Sequence, residues 1–560
     1  MIRTRITSSM AKVFPDSHID DFAPLTTISA LRGERVSIQL LHEYEADDKP
    51  LPWGGARVPL TTAGELFRYA TMRRVAYVPV NKTLLQHQTD DNYERTAPGM
   101  FPDVLQPLYY GGKVTLTSDM IGATWIDFEL PQDLAAGDYT LTMYVEDTNP
   151  GGYGKSEEST LCVTVIDAVL PKIDFRFTQW FHADCLANYY NVEVWSDEHF
   201  RIVENFVHTA VHGGINMLLT PVFTPPLDTA VGGERRTTQL VGVRLDKDTY
   251  TFDFSLLDRW IDMCDRQGIE YLEISHFFTQ WGAAHAPKIM ATVDGTYQQI
   301  FGWQTDATGD EYVRFLRTFL TALLAHLKAR GDDRRCIFHV SDEPGLAHLE
   351  QYRAARAVIS DLLEGYTIMD ALSKFEFYET GAVDHPIPSN NHIAPFLEAG
   401  IPDLWTYYCV SQALLVSNRY HSMPACRNRS IGMQLFKYNI KGFLHWGYNF
   451  YNNQNSGDPI NPYVEQSADF AFPGGDAFSV YPAMDGTALE SMRFVVFHEA
   501  LQDMRAMKLA EGLTDHDTVV AAIEEIFGQT LTFDTCAKSA DMILRIRERV
   551  NRIISDHLVK

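Results

Sequence analysis

The stretch CIFHVSDEPGLAHLEQYRAARAVISDLLEG, residues 336–365, changes character in the middle. A short apolar, strand-like run meets two adjacent carboxylates, Asp342 and Glu343. Pro344 follows and cannot continue a strand ladder, and Gly345 opens a helix-period segment. A strand that stops at a polar exit and passes directly into a helix is one half of a parallel crossover unit.

Working outward from that unit, the same alternation recurs from about residue 172. IDFRFTQWFH (173–182), INMLLTPVF (215–223), IEYLEISHFF (269–278), YTIMDALS (366–373), IPDLWTYYCVS (401–411), KGFLHWGYNFYN (441–452) and AFSVYP (477–482) read as further strands. The segments 197–214, 253–268 and 310–331 read as intervening helices, each closed by glycine. About eight strand candidates predict a (β/α)8 TIM-type barrel over 171–510 rather than an open doubly wound sheet. No GxGxxG or Walker loop supports nucleotide binding. Residues 1–170 carry period-two alternation at 33–45, 112–118, 134–147 and 159–171, and predict an N-terminal β-sandwich. Residues 511–560 predict a short C-terminal helical extension.

The chain has 560 residues, too many for one ordinary core, and a formal net charge of −26 with no long basic run. That argues against nucleic acid and against an anionic membrane surface as partners, and favours a small neutral or cationic substrate. Seven widely spaced cysteines without CxxC argue against a disulfide framework or zinc knuckle. The histidines show no HExxH-like spacing, so no metal and no cofactor are expected. The N-terminal stretch lacks an apolar signal-peptide core and no membrane span is evident, which predicts a cytoplasmic protein. A homo-oligomer is left open.

In a parallel barrel, chemistry sits at the C-terminal strand ends. Neighbouring carboxylates raise at least one another's pKa, and a protonated acid near neutrality is what general acid catalysis needs. The competing use is capping of the helix that starts near Gly345. Most glycosidases place two carboxylates on opposite sides of a sugar, roughly 5–5.5 Å or 6.5–9.5 Å apart. Adjacent residues are poorly placed for that, and Asp370, Glu376 and Glu379 are the alternative partners. A sugar with a C2 acetamide removes the difficulty, because its own carbonyl oxygen attacks. One acid then protonates the leaving oxygen, and a nearby carboxylate orients the acetamide N–H.

The run from FHVSDEP through FKYNIKGFLHWGYNFYN to GGDAFSVYPAMDGTALESMRFVVFHEALQDMRAMKL resembles the catalytic domain of glycoside hydrolase family 123, within the broader group once labelled domain of unknown function 4091. The resemblance implies a retaining exo-β-N-acetylhexosaminidase, β-N-acetylgalactosaminidase by preference. It also implies that Asp342 stabilises the acetamido group and that Glu343 is the acid/base. A small imported oligosaccharide is the expected substrate. Two alternatives are a glycosidase with a separate nucleophile and no acetamide requirement, and a non-catalytic sugar-binding protein on the same fold.

Aromatic and polar residues at other strand ends are candidates to bind substrate: Trp180, His182, His276, Trp405, Tyr407, Trp446, Tyr448 and Asn449. Aromatic faces stack on sugar C–H faces or wall an acetamide methyl, and alternation lets only about half of each run point inward. Arg427 and Arg429 are expected to cap or pair rather than to touch substrate.

Overall fold

The computed structural model describes residues 1–45, 51, 54–108, 112–118, 120–147 and 154–558. In the N-terminal part, Ile2–Ser8, Arg35–Tyr44, Gly122–Glu129, Ala70–Val80 and Gly99–Pro107 form one sheet in that order. Thr27–Arg32, Ser159–Val169, Gly137–Asp147, Gly55–Ala63 and Lys113–Thr117 form a second. Alternate side chains, among them Ile38, Leu40, Ile126, Phe128, Leu141 and Val163, meet in one buried cluster between the sheets.

From Arg176 the chain switches to short parallel strands with helical crossovers. The sequence predicts one closed eight-stranded ladder; hydrogen bonding instead forms two arcs. Arg176–Gln179, Gly442–His445 and Trp405–Tyr407 make an arc of three. Met217–Thr220, Tyr271–Ile274, Cys336–Phe338, Thr367–Ala371 and His385–Ile387 make an arc of five. The reason for the seams is local. Between Arg176–Gln179 and Met217–Thr220, Asn216 inserts its amide: the Phe177 N–H donates to Asn216 Oδ1 at 2.9 Å, while the Asn216 N–H donates to the Phe177 carbonyl at 3.1 Å. At the other seam a single parallel bridge, Ser389 to Tyr407, joins the arcs. Both arcs nonetheless face one interior, since Met217, Leu219, Ile337, Met369, Ile387, Trp405 and Leu444 share a buried cluster.

Helices are set by ordinary local signals. Ser196 and Ser491 accept the His199 and Phe494 amides at the starts of Asp197–His212 and Met492–Leu513. Gly268 and Gly331 take left-handed conformations after Ser255–Gln267 and Asp310–Arg330. No helix of the described residues is long and apolar enough to cross a membrane.

The two-sheet part and the α/β part are joined by buried charge. Glu490, on the hairpin strand Ala488–Glu490, accepts both guanidinium nitrogens of Arg35 at 2.9 and 2.7 Å and one of Arg73 at 2.5 Å. Asp127 completes the group, with Arg35 Nε at 3.1 Å and the Trp125 indole at 2.8 Å. Burial alone would raise the Glu490 carboxyl, but Arg35 and Arg73 outweigh it and hold it well below the carboxylate range. Arg493 grips Asp103 at 2.8 and 3.0 Å. The last helix, Ala540–Leu558, returns to the first residues: Arg547 donates to Glu34 at 2.8 Å, and Glu548 accepts the Ser29 N–H and hydroxyl at 2.6 and 2.7 Å. Arg429 pairs with Asp503 and Glu499, and Arg427 with Asp90.

Glu490→Gln leaves Arg35 and Arg73 sharing one buried carboxylate, and removing one partner of a buried network typically costs about 3–5 kcal/mol. The expected result is a clear fall in the urea midpoint with secondary structure retained under native conditions; an unchanged midpoint contradicts it.

Candidate active site

The strand Cys336–Phe338 ends three residues before the acids, and the chain then turns under tight control. The Asp342 carbonyl accepts the Trp281 N–H at 2.8 Å, and the Glu343 N–H donates to the Ala371 carbonyl at 2.9 Å. The turn is thus fastened to the segment after the strand Tyr271–Ile274 and to the last residue of the strand Thr367–Ala371. Glu343 has a φ of 42°, in the left-handed region that side chains rarely adopt. This kink breaks the alternation that would send neighbouring side chains to opposite faces, and both carboxyls line one cavity. Neither acid caps the helix that follows. Its N-cap is Gly345, whose N–H goes to His348 Nδ1 at 3.3 Å.

The cavity holds about 350 Å³, in the ~300–1,000 Å³ range of small-ligand clefts. Its wall includes Trp180, Tyr407 and Trp446 of the residues expected from sequence. Tyr407 donates to Glu343 Oε1 at 2.5 Å, and the Trp446 indole N–H donates to the buried Asp476 at 2.9 Å. Burial pushes the Asp342 carboxyl well above the usual range, and the charges of Glu343 and Asp370 add to the effect. Burial also pushes up the Tyr407 hydroxyl, with the Glu343 charge acting in the same direction.

The other expected residues lie behind the wall. Trp405 is 1% exposed and packs into the interior over Gly442, where a Cβ would stand 2.1 Å from its ring. Tyr448 donates outward to the Phe206 carbonyl at 2.8 Å. Asn449 exchanges hydrogen bonds with the His182 backbone at 2.9 and 3.1 Å, and the His182 ring bridges the Trp446 carbonyl and Arg235. His276 is buried against Trp180 and His339. Of the carboxylates weighed as separate nucleophiles, Glu376 and Glu379 sit exposed on a short helix and Asp370 is turned inward.

Sequence reasoning missed Asp228, Gln280, Trp281, Gln454, Asn455 and Phe472, which complete much of the wall. They come from loops and, for Gln454 and Asn455, from the short 3-10 turn Gln454–Ser456, where no periodicity marks them. The available signal was positional: Asp228 follows the Pro-rich exit of INMLLTPVF, and Trp281 precedes Gly282 after IEYLEISHFF. Thr229 and Thr279, next in chain to Asp228 and Gln280, line a second cavity of about 340 Å³ with Trp303 and Lys288. Its one carboxylate, Glu234, is paired with Lys288 at 3.0 Å.

Beneath the acids runs a buried ionic chain. Glu273 accepts from Thr178 at 2.6 Å and the Trp180 indole at 2.8 Å, and contacts His339 Nε2 at 2.9 Å. His339 Nδ1 lies 3.5 Å from Asp370. Asp370 in turn accepts the backbone N–H groups of Val340 and Ser341 at 2.9 and 3.3 Å, and the Tyr352 hydroxyl. Burial opposes charge on the imidazole, but Asp370 and Glu273 outweigh it and raise His339 to about 10. His276, His339 and Asp370 bring ligand atoms within 4.8 Å of one another. The two imidazoles, however, stack at 4.5 Å and 19°, so their lone pairs lie in separate, nearly parallel planes instead of meeting at one point as a metal requires. The donor set fits an imidazolium between two carboxylates.

Free histidine titrates near 6.5. The stabilisation from charged His339 is therefore complete below about pH 6.5 and is lost as pH rises through about 10. His339→Gln is expected to flatten the alkaline limb of the stability–pH curve in that window, read by thermal melts from pH 6 to 10; an unaltered slope rules out the ion pair.

The family model "Glycoside hydrolase 123, catalytic domain" matches residues 180–510. A solved family 123 glycoside hydrolase from Clostridium perfringens, described for glycolipid glycan hydrolysis, superposes with a TM-score of 0.72 over 99% of this chain and 98% of that chain, at 15% identity. The chitinase ChiW of Paenibacillus sp. str. FPU-7 gives a TM-score of only 0.17 at 8% identity, over 76% of this chain and 34% of that one, and carries no argument. No curated protein matches in sequence. With the match spanning more than half of the chain and enclosing the paired acids, the protein belongs to glycoside hydrolase family 123 and is a glycosidase.

Proposed function

We propose that the enzyme is a retaining exo-β-N-acetylhexosaminidase, acting on terminal β-linked GalNAc in preference to GlcNAc, through participation of the substrate's own acetamide. The observation that carries this reading is the turn at Asp342–Glu343, which brings two consecutive acids into the wall of one cavity. Among the described wall residues the remaining carboxyl is Asp228. We read the two arcs as a (β/α)8-type barrel with slack seams, behind an N-terminal sandwich that ends near residue 170 and before a helical extension from about 511. The Clostridium perfringens relative's glycolipid glycans support a carbohydrate chain as the substrate class.

The chemistry assigns one proton to the pair. Before substrate arrives, burial favours the neutral form of Asp342. An acetamide N–H donating to Asp342 favours its carboxylate, and the proton passes to Glu343. In the first step the acetamide carbonyl oxygen forms a bond to C1 as the C1–O glycosidic bond breaks. Glu343 delivers its proton to the departing oxygen, and Asp342 balances the positive oxazolinium N–H. In the second step water attacks C1, Glu343 takes the water proton, and the C1–carbonyl oxygen bond breaks. Each displacement inverts C1, the acetamide oxygen from one face and water from the other, and two inversions give net retention. Tyr407, hydrogen-bonded to Glu343, positions that carboxyl between steps.

On a panel of aryl N-acetyl-β-glycosides, Glu343→Gln is expected to lose about 10²–10⁴-fold in turnover, least with a nitrophenyl leaving group that needs little protonation. Asp342→Asn is expected to lose activity whatever the leaving group, and a thiazoline analogue of the oxazoline should compete with substrate in the wild type. Wild-type turnover by either variant, or indifference to the thiazoline, dismisses this mechanism. Tyr407→Phe removes a hydrogen bond to a charged group and is expected to lower kcat/KM by roughly 10–100-fold, with the pH profile displaced; no displacement would reduce Tyr407 to packing.

A further inference from the structure

Three acidic residues among those described line the cavity. Asp342 and Glu343 come from the turn after Cys336–Phe338, and Asp228 comes from the loop after Met217–Thr220. Asp228 is held firmly. Its N–H donates to Gln280 Oε1 at 2.6 Å and its carbonyl accepts the Ser456 hydroxyl at 2.7 Å. Its φ is 41°, a left-handed conformation that the loop maintains against its local cost. The backbone is thus satisfied, whereas carboxyl Oδ2 is shielded from water and has no hydrogen-bond partner among the described residues.

The nearest cation does not meet that need. Arg235 is committed to Asp184 at 2.7 and 2.9 Å, to His182 Nδ1 and to the Leu227 carbonyl. The described cavity wall contains no Lys or Arg. A buried acceptor without a donor is costly, and a carboxyl turns easily about its terminal bond to meet an incoming one. A neutral sugar brings hydroxyl donors, and O–H···O⁻ bonds are short and strong. A sulfate or carboxylate on the same sugar would meet three acids and no counter-charge, which is discrimination by repulsion.

We propose that Asp228 receives hydroxyls of the terminal sugar and makes the cavity selective for uncharged sugars over their sulfated or uronic counterparts. This rests on the glycosidase reading above, but not on the division of roles between Asp342 and Glu343.

The test compares nitrophenyl N-acetyl-β-galactosaminide with its 6-sulfate at pH 7, above the value of about 6 to which burial raises Asp228. The wild type is expected to favour the neutral substrate by about 100-fold or more in kcat/KM, the scale of discrimination by unpaired or repelled buried groups. Asp228→Asn should lose roughly 10–100-fold on the neutral substrate, mainly through KM, and its preference for neutral over sulfated should shrink at least about tenfold. Asp228→Glu retains the charge and should retain the preference, so a poorly folded Asn variant does not end the test. The proposal is overturned by comparable wild-type efficiency on both substrates or by an unchanged ratio in Asp228→Asn. It is equally overturned by a collapse of kcat of about 10³-fold or more at constant KM, which would make Asp228 a catalytic carboxylate. A wild type that prefers glycosides lacking the acetamide refutes acetamide participation instead, and the neutral and anionic members of that series then test Asp228 in the same way.

Discussion

The placement of His339 between two buried carboxylates, 2.9 Å from Glu273 and 3.5 Å from Asp370, is the constraint on which the site depends. Its ring lies between Glu273, which steadies the Trp180 indole, and Asp370, which holds the amides of Val340 and Ser341. Wall and turn are thereby referenced to one another through a core that excludes water. Ionic groups in such a place contribute little net stability when compared with a well-packed apolar core. Their value lies in geometry: the two residues before Asp342 have their backbone direction fixed, and Glu343 is kept in a conformation it would not choose alone.

A second set of charges fixes the platform. Arg35, Arg73 and Asp127 from the first sheet enclose Glu490, and Asp103 encloses Arg493 at the start of the long helix Met492–Leu513. The N-terminal sheets thus act on the site from a distance, through the hairpin and helix that close the α/β part. Buried polar contacts of this kind demand a defined register between surfaces, which apolar packing alone would leave looser.

The sequence made the strand–helix alternation, the two-sheet N-terminal part and the exit at Pro344 legible, because each rests on local periodicity or on a residue that cannot extend a ladder. The position of Asp342 and Glu343 at a strand exit was legible for the same reason. Depth along a strand was not. Trp405 and Tyr407 share one face by alternation, yet Trp405 lies one step deeper and fills the core while Tyr407 reaches Glu343. Tyr448 lies beyond His445, where the strand has ended and period-two reasoning no longer applies. Asp228 and Trp281 were hidden because loop conformation follows from tertiary contacts, here with Gln280 and the Asp342 carbonyl. The seam between Arg176–Gln179 and Met217–Thr220 was hidden too, since it arises from a single asparagine side chain competing with backbone.

The meeting of the first strands with the last helix bears on how the molecule is made. Glu34 and Ser29 find their partners Arg547 and Glu548 more than five hundred positions later. A ribosome-bound chain therefore holds Glu34 without its cation and the Thr27–Arg32 strand with an open edge until residues 547 and 548 have been made. Contacts of such long sequence separation are slow to form, and they make docking of the helix Ala540–Leu558 a checkpoint for the integrity of the sheet that carries Ser29.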